Sequence, residues 1–289
     1  MNIQRPALGV LATALLASSI ALPAAAAELV LPRTSPKATV TQTIGLTDVT
    51  LTFSRPGVKG RKIWGDLVPY GEAWRTGANE ATLLTVSTDA TFGGQKLPAG
   101  SYSLYTIPAK DEWTVVVNKE KDAWGEQPKK PEQDVLRFKV KPATAPQQEW
   151  LSFGFEKLST NSAELVLRWE KLMLPMTIEV DAVNLALANA RAAIAEAKPD
   201  DWRTHFRSAD FAFNAGVNEE EAMKWATESI TREETYLNLS LMAKMKAKAG
   251  DTKEAVVYAE KAIKAGKASK DPVDTRPTEK LLAEWSGKK

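Results

Sequence analysis

Apolar residues alternate with polar ones from about residue 37 to residue 181. The stretch KATVTQTIGLTDVTLTFS reads as two strands joined through GLTD. Residues 81–119 are predicted to form four more strands, separated by turn signals such as Gly93-Gly94 and Pro98-Ala99-Gly100. Near the end of the region, SAELVLRWEKL and LPMTIEVDA are predicted as two separate strands. Roughly ten short strands at spacings of about 8–12 residues are typical of an antiparallel β-sandwich, including jelly-roll-like forms. The pattern therefore predicts such a domain over residues 28–181.

After Asp181 the apolar period becomes helical and alanine becomes frequent. Two stretches, AGVNEEEAMKWATESI and AGDTKEAVVYAEKAI, align at a spacing of 33 residues. A repeat of this length, with small residues where helices cross, resembles the helical hairpins of tetratricopeptide repeats. The predicted fold class is thus α+β by domains, with an antiparallel, jelly-roll-like sandwich followed by a helical hairpin-repeat domain over residues 182–289.

The predicted helical domain has two interpretations. It is either a packing appendage of the sandwich or a groove for a peptide or a partner helix. Repeats of this kind usually need three or more neighbours, so two hairpins must lean on the sandwich or on flanking helices. The only histidine, His205, lies here. Because it has no nearby nucleophile in the sequence, an ordinary position on a helix face is favoured over a role as proton carrier.

The N-terminal segment predicts export. Arg5 precedes an apolar run at residues 7–22, and small residues precede Glu28. This pattern is typical of a cleaved signal peptide at residues 1–27 rather than of a membrane-spanning helix. We expect the bacterial periplasm as the location, with the extracellular space as the alternative.

Composition narrows the classes of function. The chain has 38 basic and 36 acidic residues, a net charge of +2, which argues against a nucleic-acid or membrane-surface protein. It has no cysteine and one histidine, so we expect no disulfide, no transition metal and no cofactor. The phosphate loop, the nucleophile elbow and the dinucleotide motif are absent from the sequence.

Residues 55–81 form an unusually long connection between predicted strands, which we call the flap. Connections longer than about 15 residues in compact domains are usually functional or disordered. The flap contains enough apolar side chains, among them Ile63 and Val68, to be ordered. It also carries the candidate ligand-binding residues, which are Arg55, Lys59, Arg61, Trp64, Tyr70, Trp74, Arg75, Asn79 and Glu80.

Three long stretches closely resemble a secreted bacterial family, the domain of unknown function 2911. They are SRPGVKGRKIWGDLVPYGEAWRTGANEAT, LPAGSYSLYTIPAKDEWTVVVN and LRWEKLMLPMTIEV. The resemblance runs from about residue 35 to residue 180 and leaves out the helical extension. It implies the sandwich fold and export, and it supplies neither an activity nor catalytic residues.

The charged cluster of the flap has three interpretations. In the first, Arg55 or Arg75 pairs with Glu80 and locks the flap to a strand. In the second, the arginines and the glycine-rich backbone hold a small anion, while the aromatic rings stack on a sugar or an apolar ligand. In the third, Glu80 and a second carboxylate, Asp66 or Glu72, form an acid–base pair.

The leading hypothesis is a non-enzymatic periplasmic binding protein. Its partners would be a small anionic or carbohydrate ligand at the flap and a peptide or protein at the helical region, with no nucleic acid. The alternatives are a hydrolase or lyase that uses Glu80 and Arg75, and a structural envelope protein. Tryptophans in or beside predicted strands are read mainly as packing residues, with carbohydrate stacking as the alternative, and these are Trp113, Trp124, Trp150 and Trp169.

Overall fold

A computed structural model describes residues 31–121, 131–271 and 273–287. The predicted signal peptide and Trp124 lie outside these residues. The chain divides after Thr34, and the described residues from Ser35 onward form one compact unit. None of the helices in the described ranges has the length and apolarity needed to cross a bilayer.

The described residues contain ten strands, all paired in antiparallel fashion. Their bounds are β1 Lys37–Ile44, β2 Thr47–Ser54, β3 Thr82–Val86, β4 Ala90–Phe92, β5 Gln95–Leu97, β6 Gly100–Ile107, β7 Trp113–Asn118, β8 Asp134–Val140, β9 Ala143–Glu156 and β10 Ser162–Glu179. A six-stranded sheet has the order β1-β2-β3-β6-β7-β8, and a four-stranded sheet has the order β5-β4-β10-β9.

The inward-facing apolar residues of both sheets form one core. Leu51, Leu84 and Leu104 of the larger sheet are fully buried, as are Leu151 and Leu165 of the smaller one. When two sheets pack face to face, every second residue of each strand points into the space between them, which explains this shared core. The predicted antiparallel two-sheet architecture followed by helices is therefore confirmed.

Two details of the strand prediction are wrong. Residues 82–118 hold five strands rather than four, because the Gly93-Gly94 turn joins two strands of only three residues each. The predicted pair of strands after Ser162 is instead the single strand β10. A bulge at Glu170, where φ is +57° and the register shifts on both sides, interrupts its alternation and lets it continue.

Six α-helices follow the sandwich within the described residues. Their bounds are α1 Ala182–Glu196, α2 Trp202–Ala215, α3 Glu219–Arg232, α4 Tyr236–Lys248, α5 Thr252–Ala268 and α6 Arg276–Trp285. Helices α2 and α3 pack as one pair and α4 and α5 as another, joined by short connections. The aligned alanines are fully buried in both pairs, at Ala222, Ala226, Ala255 and Ala259. The tetratricopeptide-like assignment stays a prediction.

His205 is buried in the helical region with both ring nitrogens engaged. Its Nδ1 lies 3.0 Å from the carbonyl oxygen of Asp201, which can only accept, so Nδ1 carries the proton. Its Nε2 lies 3.3 Å from Nη2 of Arg232 and accepts from that guanidinium. The neutral ring therefore fastens the start of α2 to the end of α3.

Candidate functional site

The flap is tied to both sheets. Near its start, Val58 N donates to Glu149 O at 2.8 Å and Leu151 N donates to Pro56 O at 2.9 Å, which extends the small sheet beyond β9. Near its end, Trp74 and Thr106 exchange backbone hydrogen bonds of 2.7 and 2.9 Å, which attaches it to β6. The predicted ordered flap thus links the edge of one sheet to a central strand of the other.

The basic residues at the start of the flap contact the protein itself. Arg55 Nε donates to Leu151 O at 2.8 Å, and Arg61 Nη2 donates to Gly57 O at 2.6 Å. The Lys59 amide donates to Glu149 Oε1 at 2.8 Å, and the Lys59 ammonium lies 5.8 Å from the centre of the Trp150 ring. Arg55 and Lys59 therefore help to hold the flap against β9, and Arg61 closes a turn within the flap.

Two flap tryptophans enter the sandwich core. Trp64 lies edge-on to Trp113 at 4.9 Å and to Trp169 at 5.6 Å between ring centroids, and Trp74 stacks on Trp169 at 5.8 Å. The indole nitrogen of Trp74 donates a hydrogen bond to Gly77 O at 3.0 Å. The indole nitrogens of Trp64, Trp113 and Trp169 have no hydrogen-bond partner within the described residues. Edge-to-face contact directs such N–H groups at neighbouring rings.

Tyr70 is the flap aromatic that remains accessible. Its side chain is 41% exposed, and its ring packs against Gly65. Asp66 and Glu72 are exposed on nearby turns, whereas Glu80 is half-buried just before β3. Asn79 is also half-buried and donates from Nδ2 to Ser35 O at 3.1 Å. The candidate residues of the flap therefore occupy several separate environments.

Residues 75–81 form a strained loop at the entrance to β3, here called the entry loop. Trp74 pairs with Thr106 and Thr82 pairs with Leu104, so the whole loop lies opposite a single residue of β6. Thr76 is fully buried with φ at +54°, an unfavourable angle for a β-branched side chain. Its hydroxyl donates to Trp74 O at 3.1 Å, and Thr82 Oγ1 donates to Thr76 O at 3.0 Å.

Tyr105, the residue opposite the entry loop, is fully buried on the outer face of the large sheet. It packs with Ala81 and Val116 in a small apolar cluster outside the main core. Its hydroxyl has no hydrogen-bond partner within the described residues. The Ser103 side chain is close enough to lower the pKa of the Tyr105 phenol. The Ser103 hydroxyl also donates to Asn118 O at 3.4 Å. A buried phenol without a partner is uncommon in a folded protein.

Arg75 of the entry loop lies beside this phenol. Its side chain is half-buried, and its Nε has no hydrogen-bond partner within the described residues. Burial raises the pKa of the Tyr105 phenol most strongly, and the Ser103 side chain, as a hydrogen-bonding group nearby, lowers it. The negative charge of Glu120 raises this pKa and the positive charge of Arg75 lowers it. The Arg75 Nε–H and the Tyr105 O–H are thus two buried donors, one in the entry loop and one on the strand opposite it, and neither has an acceptor among the residues that the structure describes.

The strands place further polar groups beside these donors. The register aligns Ser103, Asn118 and Asp134 across β6, β7 and β8. Asn118 Nδ2 donates to Asp134 Oδ1 at 2.7 Å, and the Glu120 amide donates to Asn118 Oδ1 at 2.7 Å. We call the group formed by Arg75, Ser103, Tyr105, Asn118 and Glu120 the Arg75–Tyr105 site.

Of the candidate residues, Arg75 belongs to this site, and its other members were not predicted. The sequence of β6, GSYSLYTI, does contain a feature that could have identified Tyr105. Because Tyr102 and Leu104 face the core there, alternation assigns Tyr105 to the outer, nominally polar face. An aromatic residue on that face indicates a local covering or a site. The described residues contain no group of three His, Asp or Glu side chains suited to a metal ion.

The helical region has a groove of its own. A cavity of about 380 Å³ lies among α2, α4 and α6, and its lining includes Phe206, Tyr236, Leu237 and Lys244. Leu237 is 49% exposed there. The hydroxyl groups of Tyr236 and Ser240 both meet Thr278 Oγ1, at 2.8 and 2.9 Å, and join α4 to α6 beneath the groove.

Comparisons with known proteins bear on the sandwich. Residues 35–178 match the family model described as "Protein of unknown function (DUF2911)". A search of curated proteins found no match. The matched segment contains the flap, the entry loop and the whole Arg75–Tyr105 site.

Proposed function

The chain belongs to the DUF2911 family through its β-rich region, and, since the family description names no activity, we propose from the geometry that this region is a non-enzymatic binding module for a small carboxylate. One observation carries the proposal. The buried Nε–H of Arg75 and the buried O–H of Tyr105 are neighbouring donors without acceptors in the described residues.

Unpaired buried donors are costly, typically about 1–3 kcal/mol each. One oxygen-bearing ligand would satisfy both. The planar guanidinium of Arg75 matches a carboxylate, and the Tyr105 phenol supplies a neutral donor beside it. Because burial raises the pKa of this phenol, it keeps its proton at neutral pH and can donate.

The surrounding charges favour a ligand with a single negative charge. Glu120 acts on Tyr105, and Asp134 is already matched by Arg137, whose Nε lies 2.6 Å from Asp134 Oδ2. Arg75 is therefore the cation that faces a ligand, and the carboxylate of Glu120 keeps the net charge of the site near zero. A monocarboxylate can pair with Arg75 at the cost of one nearby like charge, whereas a doubly charged phosphate would be repelled more strongly by that carboxylate.

Calorimetric titration with acetate, propionate and benzoate, and with inorganic phosphate for comparison, tests the proposal. We expect saturable binding of a carboxylate, abolished in Arg75→Gln and weakened about tenfold or more in Tyr105→Phe. Arg61→Gln is the matched control, since Arg61 is exposed and donates to Gly57 O and Val58 O within its own turn. Equal binding by Arg75→Gln, or no binding of any carboxylate, would overturn the proposal. Consumption of the bound carboxylate would favour the hydrolase or lyase alternative.

A second candidate function is peptide binding at the helical groove, in a periplasmic protein exported by the signal peptide. The exposed Leu237 beside Phe206 and Lys244 favours it, because an apolar floor with a charged rim suits an extended or helical peptide. A peptide-array screen with the wild type and Leu237→Glu tests this function. Retention of every bound peptide by Leu237→Glu would exclude the groove, with Val257→Glu on the exposed face of α5 as the control.

A further inference from the structure

The four sheet edges of the sandwich differ in how they are protected. Natural sheets protect edges with short strands, charges, proline or covering segments, because unpaired backbone groups recruit other strands. Strand β5 has only three residues, and β8 carries Asp134, Arg137 and Lys139. Strand β9 contains Pro146 and is covered in part by residues 56–58 of the flap. Each of these three edges has at least one protective feature.

Among the described residues, no segment covers strand β1, and the strand is neither short nor interrupted by proline. It is eight residues long, pairs with β2 in continuous register without a bulge, and contains no proline. Its only charged residue is Lys37 at the start. Thr39, Thr41 and Thr43 are exposed along it. By the usual criteria, this edge is ready to accept another strand.

The register shows which backbone groups are available. Backbone bonding alternates along an antiparallel edge strand, and Arg55 N donates to Pro36 O at 2.9 Å. The even-numbered residues of β1 therefore bond to β2. The N–H and C=O groups of Lys37, Thr39, Thr41 and Thr43 are directed away from it, and of these the Thr43 carbonyl accepts from Gln42 Nε2 at 2.9 Å.

We propose that β1 is a homodimer interface, in which two copies of the chain pair their β1 strands antiparallel about a twofold axis at Thr41. In this register Thr41 lies opposite the partner's Thr41, and Thr39 lies opposite the partner's Thr43. The pairing forms about six hydrogen bonds between backbone groups that face away from β2. Two of them involve the Thr43 carbonyl and are made in place of, or beside, its bond from the Gln42 side chain. The two six-stranded sheets become one continuous sheet.

The strand is complementary to itself in side chains and in charge. Threonine pairs already form on this face, where the hydroxyls of Thr39 and Thr52 and those of Thr41 and Thr50 lie 3.0 Å apart. Antiparallel pairing would add threonine pairs of the same kind across the axis. It also brings Lys37 of each copy to the hairpin end of the other, the end that carries Asp48. A peptide partner would need these features by coincidence, whereas a second copy has them by symmetry.

Sedimentation equilibrium of the full chain, produced by export, provides the test. The wild type should be a dimer at micromolar concentration, and Thr41→Lys should be a monomer, because it places two like charges opposite each other on the axis. Thr50→Lys is the matched control, since Thr50 is the cross-strand neighbour of Thr41 on the same face but one strand in from the edge. The double variant Thr39→Lys/Thr43→Glu should stay dimeric, because each lysine then faces the partner's glutamate.

Hydrogen exchange measured at low and high protein concentration supplies the second readout. The amides of Thr39, Thr41 and Thr43 should gain protection with concentration in the wild type and should not gain it in Thr41→Lys. A monomeric wild type, a dimer that persists unchanged in Thr41→Lys, or edge amides that stay unprotected in the dimer would each overturn the proposal. Concentration-independent protection of these amides in a monomer would identify another occupant of the edge and exclude the second copy.

Discussion

At the scale of single residues, the hydrogen bonding of a buried tyrosine in this protein depends on the face of the sheet that the residue occupies. Tyr102 and Tyr105 are both buried on β6, and burial raises the pKa of both phenols. Tyr102 Oη donates to Pro98 O at 2.9 Å, whereas Tyr105 Oη has no hydrogen-bond partner within the described residues. On this one strand, the hydroxyl of the tyrosine that faces the core has a hydrogen-bond acceptor, and the hydroxyl of the tyrosine on the outer face has none within the described residues.

This difference predicts opposite effects of the same substitution. Tyr105→Phe removes an unpaired buried hydroxyl and should raise the free energy of unfolding by about 1 kcal/mol. Tyr102→Phe removes a satisfied one and should lower it by about 1 kcal/mol. Urea unfolding followed by circular dichroism measures both. If Tyr105→Phe is as destabilised as Tyr102→Phe, the phenol has a structural partner and the Arg75–Tyr105 site loses its basis.

The sequence could predict the flap but not where its side chains go. Its length and apolar content indicated an ordered segment, and the structure confirms an ordered connection between the sheets. Composition alone could not separate Trp64 and Trp74, which pack against core indoles, from Tyr70, which stays exposed. Such partners are distant in sequence, so their contacts depend on the three-dimensional packing of both sheets.

At the scale of elements, hydrophobic periodicity and capping residues predict most strands and helices, except where the chain departs from a regular period. Alternation identified the strands, and the bulge at Glu170 accounts for the division of β10 into two predicted strands. Several helices begin at a residue whose side chain caps them. The side chains of Asp181, Asp201 and Asp251 accept from backbone amides at the starts of α1, α2 and α5.

Contacts between helices are sensitive to acid. Arg191 of α1 holds Glu221 of α3 through two hydrogen bonds of 2.8 and 2.7 Å, and these bonds lower the pKa of the Glu221 carboxyl below its ordinary value of 4.5. A depressed folded-state pKa gives stability that is complete above the unfolded value and is lost as the pH falls through the folded value. This contribution is therefore present at pH 7 and is lost progressively as the pH falls below about 4.5.

Glu221→Gln should lower the stability of the helical region at pH 7 and have little effect at pH 3. Denaturant unfolding followed at 222 nm at both pH values measures the difference, which we expect to be small because the pair is partly exposed. Glu220→Gln, an exposed position on the same turn, is the control and should show no such pH dependence. An equal loss at both pH values would mean that Glu221 acts through packing rather than through its charge.

At the scale of the whole molecule, a single glycine lies at the junction between the sandwich and the helices. Gly45, in the turn between β1 and β2, has a φ of +58°. A Cβ atom added there would lie 2.4 Å from Ala182 Cβ and 2.9 Å from Thr160 O. Ala182 begins α1 and packs into the sandwich core, whereas Leu187 of the same helix packs into the helical core. Helix α1 therefore depends on the close approach of this turn.

Gly45→Ala should uncouple the two regions. The left-handed backbone angle alone costs about 1 kcal/mol for alanine, and the overlap with Ala182 adds about 1–3 kcal/mol. Gly94→Ala is the matched control, because Gly94 has a φ of +78° but nothing within 4 Å of an added Cβ. Hydrogen exchange should show faster exchange of the α1 amides in Gly45→Ala and unchanged α1 exchange in Gly94→Ala. Equal destabilisation and equal exchange in the two variants would show that backbone strain alone matters at Gly45, and that the turn does not hold α1 against the sandwich.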